Sequence, residues 1–320
     1  MNLTFTDVST TSNRIISEIE KAVIGKRELL ERIMAAILAG GHILLEDYPG
    51  LAKTLIANSF ATVSGLDFKR IQFTPDLLPG DITGSYIFDQ EQGSFELRQG
   101  PIFANIILAD EINRASPKTQ SALLEAMQEY QVTLEGKTMP VPQPFIVIAT
   151  QNPIEYEGTF PLPEAQLDRF LIKLSVGYPS LEEEQQILRR RRERRQDDFD
   201  LEQVTTTNEL IAMRNVLEDV HVDADIEKYI AEIVHNTRRD QRTAVGASPR
   251  GSLALLKLAR ARAALEGRSY VLPDDVKDFI QPGLAHRLIL KPDLWMNKTA
   301  AYEVLDKIAN TVPVPVIEGV

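Results

Sequence analysis

A chain of 320 residues with 43% hydrophobic and 25% charged side chains has an ordinary globular composition, and its length predicts about two domains with a sizeable core. Its net charge of −11 argues against nucleic-acid binding by the molecule as a whole, although a local basic surface stays open. The absence of cysteine excludes disulfides, thiolate metal sites and cysteine nucleophiles.

No stretch reaches the roughly 18 apolar residues needed to span a bilayer. "MNLTFTDVSTTSNR" lacks a basic region followed by an apolar block, so the expected location is the cytoplasm, without membrane insertion. His42, His221, His235 and His286 are scattered without ligand spacing, which argues against zinc.

In chain order, apolar residues recur at helical spacing over 12–40, with a break at Gly25. "HILLE" (42–46) is short, apolar and preceded by Gly40-Gly41, as a buried strand would be, and a helix follows over 51–64. "FKRIQF" (68–73) is the next strand candidate. Residues 75–103 are rich in Gly and Pro and predict turns and a hairpin excursion. "NIILADE" (105–111) is another buried strand. Residues 116–130 form a helix with Ser116 as N-cap and Pro117 at its first position. A second hairpin or exposed loop is expected at about 131–144, then apolar strands at 145–152 and 169–176. Strands alternating with helices imply a mostly parallel sheet flanked by helices, an α/β fold. After Tyr178-Pro179 the composition turns helical, with few strand-like runs until "TVPVPVIEGV", so the domain boundary is placed near residue 178.

Several short motifs bear on chemistry. In "LLEDYPGLAKT", Pro49-Gly50 supplies a turn, Lys53 has the reach for β- and γ-phosphates, and Thr54 offers a hydroxyl to Mg²⁺. The alternative is an ordinary strand–turn–helix with a solvated lysine. "NIILADE" ends in two carboxylates: Asp110 for Mg²⁺ and Glu111 as general base for an attacking water. Two solvated acids capping a strand are the plainer reading. Asn152, with Gln151 second, stands just past a buried strand where a polar group meets the γ-phosphate; in isolation, Asn before Pro153 reads as a turn. Arg169 is a candidate transition-state arginine or a partner of Asp168 or Glu164. Arg250 opens a helix, where the dipole does not favour a cation, so it is either a phosphate-reaching group or a surface arginine. "RRRRERR" (189–195) is the one strong basic run. It reads best as a solvated helix end neutralised by flanking acids.

Together, "LLEDYPGLAKT", "ILADEINRASPKTQSALLEAMQE", "ATQNP", "LPEAQLDRF" and "SPR" resemble the AAA+ ATPases, and specifically the MoxR family, from about residue 12 to the C-terminus. The resemblance implies an AAA+ P-loop core at 1–178 and a helical lid at 179–320. Within the core it implies an insert at about 75–103 and a hairpin at about 131–144, both projecting toward clients. It implies a phosphate loop of Asp47, Tyr48, Pro49, Gly50, Leu51, Ala52, Lys53, Thr54 and Leu55, tolerant of Ala52 and of variation at position 47. Asp110 and Glu111 become the Walker B pair, with Thr54 and Asp110 on Mg²⁺. Asn152 becomes sensor 1, Arg169 the arginine finger and Arg250 sensor 2, acting within its own subunit or on its neighbour's nucleotide. Ile24 and Gly25 of "VIGK" lie against adenine. The implied cofactors are ATP or ADP with Mg²⁺. The implied assembly is a ring, usually a hexamer, with a von Willebrand factor A domain partner. A remodelling or maturation ATPase is the leading expectation; a nucleic-acid motor and a non-hydrolysing nucleotide-binding scaffold are the alternatives.

Overall fold

The computed structural model describes residues 3–91, 93–152 and 159–315. Helix α1 (Phe5–Ile19) starts earlier than the apolar spacing indicates. Thr4 and Asp7 form a reciprocal cap that supports the polar first turn. Helix α2 (Arg27–Leu38) follows the break at Gly25, which takes a left-handed φ of 70°. Next come strand β1 (Ile43–Glu46), helix α3 (Lys53–Ser64) and strand β2 (Phe68–Gln72). The excursion is a short helix α4 (Pro79–Thr83) and a hairpin of β3 (Gly84–Asp89) with β4 (Ser94–Gln99). Strand β5 (Ile106–Asp110) returns to the core and leads to helix α5 (Pro117–Glu129), where the Ser116 hydroxyl accepts the Thr119 N–H. A second hairpin pairs β6 (Gln131–Leu134) with β7 (Lys137–Pro140), and β8 (Ile146–Gln151) re-enters the sheet. Helix α6 (Glu164–Leu167) and strand β9 (Ile172–Leu174) complete this half. The last strand is shorter than its apolar run, because Arg169 and Phe170 close the turn after α6. Pro153, the end of the "ATQNP" motif, lies outside the described residues.

The central sheet has the order β2–β5–β8–β1–β9 and is parallel throughout. Its inner strands are covered on both faces, which is why they are continuously apolar rather than alternating. Ile43, Leu45, Ile106, Leu108, Ile146 and Ile148 face one apolar cluster. Leu44, Ile107, Ala109, Val147 and Ala149 face a second one, closed by Leu123, Leu124 and Met127 of α5.

Beyond the sheet, α7 (Leu181–Arg194), α8 (Thr207–Val216), α9 (Ala224–Thr237), α10 (Pro249–Leu265), α11 (Pro273–Lys277), α12 (Ile280–Leu284) and α13 (Ala300–Thr311) form a helical half. A small antiparallel pair, Thr243–Val245 with Ile289–Leu290, was not legible in the apolar pattern because its strands are two and three residues long. The terminal run read from sequence as strand-like is irregular at 313–315, and its residues 316–320 lie outside the described ones. The first apolar cluster is shared by both halves: Ile15 and Ile19 of α1 and Leu30 and Ile33 of α2 pack in the same core as Leu255 and Leu258 of α10. Among the described residues no helix is long and apolar enough to cross a membrane.

Candidate functional site

The C-terminal ends of β1, β5 and β8 open onto one cleft of about 400 Å³. Its walls carry Pro49, Gly50, Leu51, Ala52, Lys53, Thr54 and Leu55 from the turn between β1 and α3, with Arg70, Asp110, Glu111, Thr150 and Asn152 opposite. The turn is tight because Gly50 and Ala52 both adopt left-handed backbone, at φ 82° and 54°. For alanine that conformation costs on the order of 1 kcal/mol. It leads the chain straight into α3, whose exposed first-turn N–H groups and dipole attract anions. The Lys53 ammonium donates to the backbone oxygens of Asp47 (2.7 Å) and Tyr48 (3.0 Å). Burial pulls its pKa below the usual lysine value, against the opposing pull of Asp47, Asp110 and Glu111.

Across the cleft, Asp110 ends β5 and Glu111 follows with φ 55°, a left-handed turn that separates the two carboxylates. The Thr150 hydroxyl donates to Asp110 Oδ1 (2.6 Å) and accepts the Glu111 N–H (2.8 Å), so one side chain fixes both acids. Glu111 Oε2 accepts from Gln72 Nε2 (2.9 Å) and Arg114 Nη1 (3.0 Å). Thr150, Gln72 and Arg70 were not singled out from the sequence. Two lie on a strand that looked like scaffold, and Thr150 lay inside an apolar run.

The turn between β1 and α3 and the acidic pair line one cleft, together with buried Asn152. Asp47 does not join them. Its carboxylate turns toward the chain leaving β9, where Oδ2 accepts from the backbone of Val176 (2.5 Å) and Gly177 (2.8 Å) and from the Ser175 hydroxyl (3.0 Å). Tyr48 is also outside the cleft lining and stacks on Tyr178, with centroids 5.8 Å apart. A second cleft of about 490 Å³ lies where Gly25 and Lys26 meet Ser175 and Val176 and, from the helical half, Gln281, Pro282 and Tyr302. Gly25 lines it, and half-buried Ile24 precedes it in the chain.

Arg169 lies elsewhere, in a shallow pocket against α5 with Ser121, Glu125 and Gln166. It donates to the Leu124 carbonyl (2.6 Å), and among the described residues its buried Nε has no partner. Arg250 does not line the first cleft either. It stands 3.9 Å from Asp168, which also accepts the Ser248 hydroxyl (3.0 Å) and pairs with Arg287. Arg287 is buried and clamps the two halves by donating to the backbone oxygens of Asp168, Phe170 and Gly283. The basic run on α7 is partly spent locally: Arg190 donates to the Glu20 carbonyl, Arg191 pairs with Asp197, and Arg194 lies over the Phe199 ring.

Among the described residues no group of three or more His, Cys, Asp or Glu could hold a metal. The cleft instead offers hard oxygens from Thr54 and Asp110. That donor set suits Mg²⁺, which keeps several waters and completes its shell with phosphate oxygens.

Residues 42–172 match the ATPase family associated with various cellular activities (AAA), and residues 235–308 match the AAA lid domain. The chain is 43% identical to the chaperone MoxR1 of Mycobacterium tuberculosis, over 97% of this chain and 84% of that protein. It is 48% identical to the uncharacterized protein YeaC of Bacillus subtilis, over 97% of both. A crystal structure from Cytophaga hutchinsonii, provisionally described as an ATPase, superposes with a TM-score of 0.91 at 40% identity, covering 98% of this chain and 97% of that one.

Proposed function

Because the chain belongs to the MoxR family of AAA+ ATPases, we propose that it hydrolyses ATP and uses the cycle to remodel or mature client proteins. The observation that carries this reading is the single cleft joining Lys53 and Thr54 at the start of α3 to Asp110, Glu111 and Asn152. In it, residues 1–178 bind the nucleotide and 179–320 act as the lid. The first-turn N–H groups of α3 receive the phosphates, and Lys53 exchanges its carbonyl partners for β- and γ-phosphate oxygens. Adenine occupies the second cleft beside Gly25 and Ile24. Thr54 and Asp110 hold Mg²⁺, which when bound neutralises charge on the β- and γ-phosphates. Glu111 polarises the attacking water as general base, and Asn152 orients it. Asp47 keeps the loop in place from outside by tying it to the chain leaving β9.

Arg169 lines a separate pocket and not its own cleft, which supports its action on a neighbouring subunit's nucleotide in a ring, taken as a hexamer. Arg250 sits beside Asp168 rather than at the phosphates, so its part awaits movement of the lid. The β3–β4 hairpin exposes Ile87, Phe88 and Phe95, a surface suited to a client or to a von Willebrand factor A domain partner. The proposed compartment is the cytoplasm.

The test compares ATP binding and steady-state hydrolysis in the wild type, Glu111→Gln and Lys53→Ala. Glu111→Gln is expected to retain ATP and lose at least about 100-fold in turnover, the lower end of the range for a general base. Lys53→Ala is expected to lose binding. Equal turnover in all three overturns the proposal. Glu111→Gln with ATP present also serves as a trap for recovering clients.

A further inference from the structure

Strand β2 is an edge of the sheet, and Arg70 and Gln72, two residues apart, share one of its faces. Arg70 reaches into the cleft and grips Asp110: Nη2 and Nε lie 2.6 and 3.1 Å from Oδ2, and Nη2 also donates to Gln72 Oε1 (2.8 Å). The other carboxylate oxygen is occupied by the Thr150 hydroxyl. Both oxygens of the acid that would receive a divalent cation are therefore engaged, one of them by a permanent positive charge.

A cation arriving at Asp110 has to displace that guanidinium or share the carboxylate with it at the cost of like-charge repulsion. The side chain is free to leave, since Arg70 is 48% exposed while Asp110 is only 13% exposed. We propose that Arg70 is a positioning residue that competes with the divalent cation for Asp110 and so sets the Mg²⁺ concentration at which the nucleotide site closes. With no metal bound, Arg70 neutralises Asp110 and holds it in register. When nucleotide and metal enter together, the guanidinium swings out and Asp110 changes partner. This inference rests on the ATP-and-Mg²⁺ reading of the cleft given above.

The experiment measures binding of a fluorescent non-hydrolysable ATP analogue to the full-length protein while Mg²⁺ is titrated, and again in EDTA. It uses wild type, Arg70→Gln, Arg70→Lys and Lys53→Ala, with matched thermal melts confirming folding. Arg70→Gln is expected to lower the half-saturating Mg²⁺ concentration about three- to tenfold, the range set by an ion pair between a half-exposed cation and a nearly buried carboxylate. Arg70→Lys should fall between it and wild type, because it keeps the charge and loses the fork. Binding in EDTA should not change. A half-saturating Mg²⁺ concentration that is unchanged or raised overturns the proposal. So does a loss of binding in EDTA, which would make Arg70 a phosphate ligand. If Lys53→Ala binds the analogue as tightly as wild type, the nucleotide site itself is misplaced and the Arg70 proposal falls with it.

Discussion

Replacing Asp47 by alanine should destabilise the protein by about 3–5 kcal/mol, although this residue touches no nucleotide in the proposed site. The magnitude follows from its four donors. The Val176 N–H is buried and the Gly177 N–H half-buried, and each hydrogen bond to an ionised acceptor contributes about 1.5–3 kcal/mol. Ser175 and Tyr48 are exposed enough to turn to water, so their bonds add little. Alanine leaves two inward-facing amides without a partner. Asparagine keeps one acceptor oxygen for them but presents its NH₂ to the Tyr48 N–H, so Asp47→Asn should cost only about 1–2 kcal/mol. Urea unfolding followed by far-UV circular dichroism measures both. Should Asp47→Ala come within about 1 kcal/mol of wild type, or Asp47→Asn cost as much as Asp47→Ala, the carboxylate does not anchor the phosphate loop to the chain leaving β9.

Acid should weaken the fold through His42. Its Nδ1 accepts the Val147 N–H (3.0 Å), so Nε2 carries the proton and donates to the Met127 carbonyl (3.0 Å). Burial lowers its pKa from 6.5 to about 4, so its contribution is complete above pH 6.5 and is lost as the pH falls toward 4. The loss is about 1.4 kcal/mol per pH unit and about 3 kcal/mol in all. Melting temperature against pH should be flatter for His42→Gln, though not flat, because burial also depresses His286. Arg287→Met should cost about 3–5 kcal/mol, since it strips buried carbonyls on both halves of their donor and leaves Asp168 without its closest cation. A thermal shift of less than about 2 °C would refute the clamp.

The α/β half was legible where pattern and chemistry coincide. Strands β1, β5 and β8 are apolar on both faces, and their flanking turns carry Pro49-Gly50, Asp110-Glu111 and Asn152, so buried run and polar exit announce each other. Ser116 was legible as a cap because a capping side chain acts on a backbone three residues away. What stayed hidden depends on distant partners. Asp47 belongs to the phosphate-loop segment by position, but its carboxylate serves residues 175–177, and nothing local signals that turn. Arg70 and Arg287 looked like any other charged residues, since their meaning comes from Asp110 and from the backbone oxygens of Asp168 and Phe170, far along the chain. Arg169 and Arg250 were legible as candidates, but their positions away from the first cleft follow from packing between elements.

The apolar interior common to α1, α2 and α10 constrains the movement proposed above for the lid. Swinging it away like a door would wet those faces, at about 2.5 kcal/mol for every 100 Å² uncovered. Gliding, in which each ridge leaves one groove as it enters the next, keeps the seam dry at every stage. In the cycle proposed above, a seam of this kind favours short, stiff displacements over wide gaping.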